Sequence, residues 1–120
     1  MSPSNWIRIT PVENIPLREG REVELGKERW TIFNLGDRVV ALENRCPHQN
    51  GPIADGIVST YEGRLTVTCP LHARRICVDS GQVIKPAGGE CLRTLPAKVE
   101  SGIVMIDVAP LLRQSAVTVA

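Results

Sequence analysis

Two histidines occur in this chain of 120 residues, and each follows a cysteine at short spacing: Cys46-x-His48 and, after 20 intervening residues, Cys69-x-x-His72. Two thiols and two imidazoles form a four-donor set for a borderline or soft metal. Both pairs lie in stretches punctuated by proline and glycine, Arg45-Cys46-Pro47-His48-Gln49-Asn50-Gly51-Pro52 and Cys69-Pro70-Leu71-His72-Ala73, which read as stiff loops. Plain loop residues with no metal role are one reading, weakened because both of the chain's histidines fall at matched positions. Tetrahedral zinc is a second. Zinc sites usually open with two nearby cysteines and close with two nearby histidines, whereas each loop here carries one of each. The third reading is a [2Fe–2S] unit with two thiolates on one iron and two imidazoles on the other, so that each loop gives one ligand to each iron. The spacing fits this last arrangement. Thiolates suit an inner, dry iron and imidazoles an outer one, and the stiff loops can bring backbone N–H groups near the cluster sulfurs.

The remaining chemistry-bearing residues have plainer roles. Cys77 and Cys91 have no histidine at motif spacing and are expected as small buried hydrophobes in strands. Arg74 and Arg75 follow the second loop; they are expected on a solvated face, with electrostatic docking of a partner as the alternative. The run Arg18-Glu19-Gly20-Arg21-Glu22 reads as a solvated turn, and Asp55-Gly56 as a turn after the first loop. With 14 basic and 13 acidic residues the formal charge is +1, too small to attract phosphate backbones or anionic membranes. Four aromatic residues, Trp6, Trp30, Phe33 and Tyr61, leave no platform for stacked bases. Neither a nucleic-acid nor a membrane partner is expected. The opening Met-Ser-Pro-Ser-Asn-Trp has no signal-peptide pattern and no apolar run is long enough to span a bilayer, so the expected location is the cytoplasm, where cysteines serve as ligands more often than as disulfides.

The elements that must carry these loops read as strands. Apolar residues alternate or run in short bursts between turn signals, the pattern of a small all-β sandwich or barrel. Strands are expected near residues 6–10, 22–26, 30–35, 39–43, 65–68, 76–78, 91–95 and 103–108. Gly36-Asp37, Asp79-Ser80-Gly81 and Glu100-Ser101-Gly102 supply hairpin turns, and the segment from Thr10 to Pro16 is a connector with at most one helical turn. Lys85-Pro86-Ala87-Gly88-Gly89 is a third stiff loop, without a ligand. Residues 111–120 read as a C-terminal tail, a short helix or strand end.

Taken together, Cys46, His48, Cys69 and His72 meet the motif C-x-H…C-x-x-H in full, and the chain resembles the Rieske [2Fe–2S] domain family. The surrounding Glu43-Asn44-Arg45-Cys46-Pro47-His48-Gln49-Asn50-Gly51-Pro52-Ile53-Ala54-Asp55-Gly56-Ile57-Val58, the Cys69-Pro70-Leu71-His72 loop and the later Gly89-Glu90-Cys91-Leu92-Arg93-Thr94-Leu95-Pro96 are similar to the small subunit of NAD(P)H-dependent nitrite reductase. The resemblance implies an antiparallel β-sandwich in one domain over residues 1–110, with a base built from both chain ends and a small cluster-binding subdomain at about 43–90. It implies a Rieske-type [2Fe–2S] cofactor on those four residues, and a large partner subunit carrying FAD, a [4Fe–4S] cluster and sirohaem for the reduction of nitrite to ammonia in nitrate assimilation. A fully ligated diiron site leaves no open coordination position, so the chain is expected to carry electrons, with no substrate site of its own. A stand-alone ferredoxin serving an aromatic-ring dioxygenase is the alternative within the family, and a non-redox module stapled by its metal is the alternative outside it. Two features depart from relatives. Gly51 and Leu71 stand where the respiratory members carry a loop disulfide, which, with no hydroxyl residue just after His72, implies a potential near the low end of about −150 to +300 mV. Arg74 replaces an aromatic residue that shields the cluster. Exposed imidazole ligands further predict a midpoint potential that falls once the oxidised form loses ring protons.

Overall fold

The computed structural model describes residues 4–44, 53–69, 74–85 and 91–111. Eleven strands run in chain order: β1 (Trp6–Pro11), β2 (Gly20–Leu25), β3 (Glu28–Asn34), β4 (Val39–Glu43), β5 (Ile57–Tyr61), β6 (Arg64–Thr68), β7 (Arg75–Cys77), β8 (Val83–Lys85), β9 (Thr94–Leu95), β10 (Ala97–Glu100) and β11 (Ile103–Asp107). They pair antiparallel in three sheets, of order β1-β11-β10, β2-β3-β4-β9 and β5-β6-β7-β8. The all-β expectation holds.

The middle sheet organises the molecule because both of its faces are covered. On β3 and β4, Trp30, Ile32, Val39 and Ala41 pack with Ile15, Leu95, Val104 and Ile106 on the side of the first sheet. The intervening Phe33 and Leu42 point the other way, with Leu35 just beyond β3, into a second core with Ile53, Val58, Val67, Cys69, Ile76, Val78, Val83 and Leu92. The period-2 alternation of a strand therefore survives, but each phase meets its own core, so Trp30 to Phe33 are buried without a break. Thr31 is buried within that run, and its hydroxyl donates to the Arg21 carbonyl at 3.3 Å.

Local chemistry explains most boundaries. Prolines bracket the connector after β1, which holds one 3₁₀ turn at Val12–Asn14. Leu35 donates its N–H to Arg38 O around the Gly36-Asp37 turn, and Gly81 donates to Cys77 O around the Asp79–Ser80 turn. The β10–β11 hairpin turns on Ser101 and Gly102, both at positive φ, as two-residue hairpin loops require. Glu62 and Gly63 repeat that geometry between β5 and β6, a hairpin the sequence reading missed. Also missed were β8 and β10, too short or too polar to show a pattern. The charged run at 18–22 divides: Arg18 has φ 63° in a turn, but Gly20 to Glu22 already belong to β2, where alternate side chains face solvent beside a buried neighbour strand. Residues 109–111 are helical, and the rest of the expected tail lies outside the described residues. No helix among the described residues is long and apolar enough to cross a membrane.

Candidate metal centre

The register of the third sheet brings strand ends that flank the ligand-bearing segments to one place. Ile57 pairs with Thr68, Thr68 with Arg75, and Arg75 with Lys85. Thus the start of β5, the end of β6, the start of β7 and the end of β8 all lie at the same end of this sheet. The segment with Cys46 and His48 enters there through the 3₁₀ turn Ile53–Asp55. The chain reaches residues 70–73 from Cys69 and is described again from Arg74 at that end, where β8 also finishes at Lys85; the expected third stiff loop lies outside the described residues. Cys46, His48 and His72 themselves lie outside the described residues.

Cys69 is the candidate ligand that is described. It is 1% exposed, follows β6 directly, belongs to the second core, and donates its backbone N–H to Arg74 O at 2.8 Å, closing the second loop at its base. A thiol held among Ile53, Val58, Val67 and Ile76 provides the soft donor and dry surroundings that suit an inner iron. Close to it, Gly56 donates its N–H to Ile53 O at 2.9 Å and runs so near β6 that a Cβ there would lie 2.6 Å from Thr68 O. Only glycine permits this approach, so the end of the first ligand segment and the start of the second are pressed together. The expected turn at Asp55-Gly56 is this one. Among the described residues no three His, Cys, Asp or Glu side chains gather to form a different metal site. The donor set and the buried position of Cys69 fit an iron–sulfur group.

Around this end, buried polar groups anchor the loops. Glu43, 4% exposed, accepts the Arg93 backbone N–H at 2.6 Å and the Arg93 guanidinium at 3.1 Å, and the same guanidinium reaches Glu28 at 2.8 Å. Desolvation opposes the charge on Arg93, but these two carboxylates more than offset it and hold the side chain protonated. The Glu28 carboxylate also accepts from Trp30 Nε1 at 3.1 Å, and Arg93 lies over the Trp30 ring at 5.4 Å. Sequence reasoning passed over Glu43 and Arg93 as functional supports; their position inside the segments quoted for the resemblance was the available signal.

Three expectations need correction. Cys91 is exposed, although Cys77 is buried as expected. The stretch 91–95 is no continuous strand: it bridges Gln82 at Cys91, sends Leu92 into the second core, then crosses to β4 with Leu95 in the first. Cys91 faces away from Leu92 and so meets solvent. Arg74 and Arg75 are half-buried and not a solvated face. Arg75 lies over the Tyr61 ring at 4.4 Å and donates to Ser59 Oγ at 3.2 Å, so its charge is spent on the sheet itself. Burial pushes the Cys77 thiol up, but hydrogen bonds from the Ser80 hydroxyl and from the Ser80 and Asp79 backbones outweigh it and bring the thiol below its ordinary value.

Three antiparallel sheets, with strand ends that flank the cysteine and histidine segments gathered at one end of the third, define a small β-built domain suited to hold a metal centre. The chain belongs to the Rieske-like [2Fe–2S] domain family, which it matches over residues 5–107, and its cofactor is a Rieske-type [2Fe–2S] cluster. It is 32% identical over 103 residues to the 3-phenylpropionate/cinnamic acid dioxygenase ferredoxin subunit of Escherichia coli (strain K12), an alignment covering 86% of this chain and 93% of that one. Its fold is similar to the Sphingomonas yanoikuyae B1 ferredoxin (TM-score 0.71, 25% identity, 86% of this chain and 98% of the other). It is also similar to a Mycobacterium tuberculosis protein assigned as an NADH-dependent nitrite reductase small subunit (TM-score 0.80, 22% identity, 88% and 96%), a likeness of fold alone at that identity.

Proposed function

We propose that this chain is an electron-carrying small subunit, with Cys46, His48, Cys69 and His72 as ligands of its cluster, and that its partner is the large subunit of an NAD(P)H-dependent nitrite reductase. The observation that supports the ligand assignment is that the exit of the first Cys/His segment at Ile53–Ile57 and both flanks of the second, Cys69 and Arg74, lie at one end of the β5–β8 sheet, with Cys69 buried. A bound Rieske-type cluster supplies a one-electron couple within about −150 to +300 mV. The chain's own part is mechanical and dielectric. Cys69 and the second core keep water from the thiolate side, the closed loop bases hold the donors in place, and Glu43 with Arg93 ties the first segment to the third loop's exit. The nitrite chemistry then belongs to the partner, in a cytoplasmic setting. Support for this partner comes from the similarity of residues 43–58 and 89–96 to nitrite reductase small subunits. A second reading, a ferredoxin feeding an aromatic-ring dioxygenase, is favoured by the 32% identity to a dioxygenase ferredoxin subunit.

Two measurements test these readings. Freshly purified chain should be coloured, with two irons and two sulfides and a rhombic EPR signal after reduction; colourless protein holding one zinc overturns the ligand assignment. Native purification of the tagged chain from its own cells should bring down a flavoprotein with sirohaem absorption. Co-elution with a non-haem iron oxygenase instead replaces the first partner by the second.

A further inference from the structure

Asn44 stands two residues before Cys46 and is 2% exposed. Its side chain reaches across the whole first ligand segment: Oδ1 accepts the Ala54 N–H at 2.8 Å, ten residues on. Its Nδ2 donates to Glu22 Oε2 on β2 at 2.6 Å, and its backbone N–H donates to Arg29 O on β3 at 3.0 Å. Glu22 is itself held by Arg29 Nε at 3.3 Å. The receiving end is equally constrained. Ala54 O lies 2.9 Å from where a Cβ on Gly20 would stand, so the 3₁₀ turn is seated directly on β2, while Gly56 is seated on β6. One buried amide thus joins the entry and exit of the segment to each other and to the base strands.

We infer that Asn44 is a positioning residue for the cluster: by tying both roots of residues 45–53 to β2 and β3, it fixes where Cys46 and His48 stand relative to Cys69. This rests on the ligand assignment proposed above. A supporting hydrogen bond of this kind acts on a metal centre through the geometry of its ligands, not through contact with the metal.

The test uses the full chain with Asn44→Ala, Asn44→Asp, Glu22→Gln and the double variant Asn44→Asp/Glu22→Gln. Asn44→Ala removes both side-chain bonds. Asn44→Asp keeps the acceptor for Ala54 but sets a carboxylate against Glu22. The double variant reverses the polarity of the Asn44–Glu22 hydrogen bond and restores it. The readouts are iron release to a chelator, EPR g-values of the reduced protein and midpoint potential, with far-UV circular dichroism to check the fold. Asn44→Ala and Asn44→Asp should release iron about 10–100-fold faster and show broadened or shifted g-values, with Glu22→Gln near wild type and the double variant returned toward it. Wild-type release and g-values in Asn44→Ala, or no recovery in a folded double variant, overturn the positioning role while leaving the ligand assignment intact. Wild-type protein without iron and sulfide overturns the assignment itself, and this role with it.

Discussion

Glu43 shows how much one carboxylate at the root of a ligand segment is asked to do. Buried beside Arg93, it accepts a backbone N–H and part of a guanidinium, and removing it takes both bonds from Arg93, whose guanidinium keeps its bond to Glu28. Glu43→Ala should therefore destabilise the protein by about 1–3 kcal/mol, measured by denaturant unfolding, and by more than Glu28→Ala, whose carboxylate is half-exposed. Cys77 makes a pH-dependent contribution. Because its folded pKa lies below its unfolded one, the unfolded chain binds more protons between the two values and stability rises with pH across that window. The gain is complete above the ordinary thiol range and lost as pH falls through the lowered folded value. Unfolding midpoints measured against pH should rise more in wild type than in Cys77→Ala; parallel curves would refute the thiolate account.

Among the elements, the contact between turns of the middle and third sheets is ionic. Arg38, at the β3–β4 turn, makes bonds of 3.0 and 2.7 Å to Asp79 at the turn after β7, and two more to Asp37. The Asp79 hydrogen bond is the main cause that raises the guanidinium's pKa above its ordinary value. All three side chains are substantially exposed, so geometry does not translate into much stability. A double-mutant cycle with Arg38→Ala and Asp79→Ala should give a coupling of about 0.2–1 kcal/mol that shrinks in high salt. A larger, salt-insensitive coupling would mean that this pair, and not the apolar core beneath, clamps the two sheets.

For the molecule as a whole, two cores on opposite faces of one sheet separate stability from site support. Ile76 and Ile106 are both fully buried, the first in the core that contains Cys69 and the second in the core built by the chain ends. Ile76→Ala and Ile106→Ala should each cost about 2–5 kcal/mol, since either leaves a cavity. Only Ile76→Ala should speed iron loss under native conditions, because it loosens the packing around the buried ligand. Equal iron loss from both variants would show that the two cores act as one cooperative unit.

Residue types and local spacing determined the all-β class, most strand positions and the four candidate ligands, because hairpin turns, period-2 patterning and metal-ligand motifs are properties of adjacent residues. The same locality explains the misses. The alternation of Cys91 to Leu95 looks like one strand, yet Leu92 and Leu95 serve different cores, and Arg75 looks like a surface cation until Tyr61 and Ser59 fold beneath it. Only the tertiary structure decided that the exit of the first loop and both flanks of the second share one end of one sheet, that Asn44 spans the first loop, and that Cys69 is buried while Cys91 is not. Each depends on strand register and on which sheet covers which face, relations between residues far apart in the chain that no local pattern encodes.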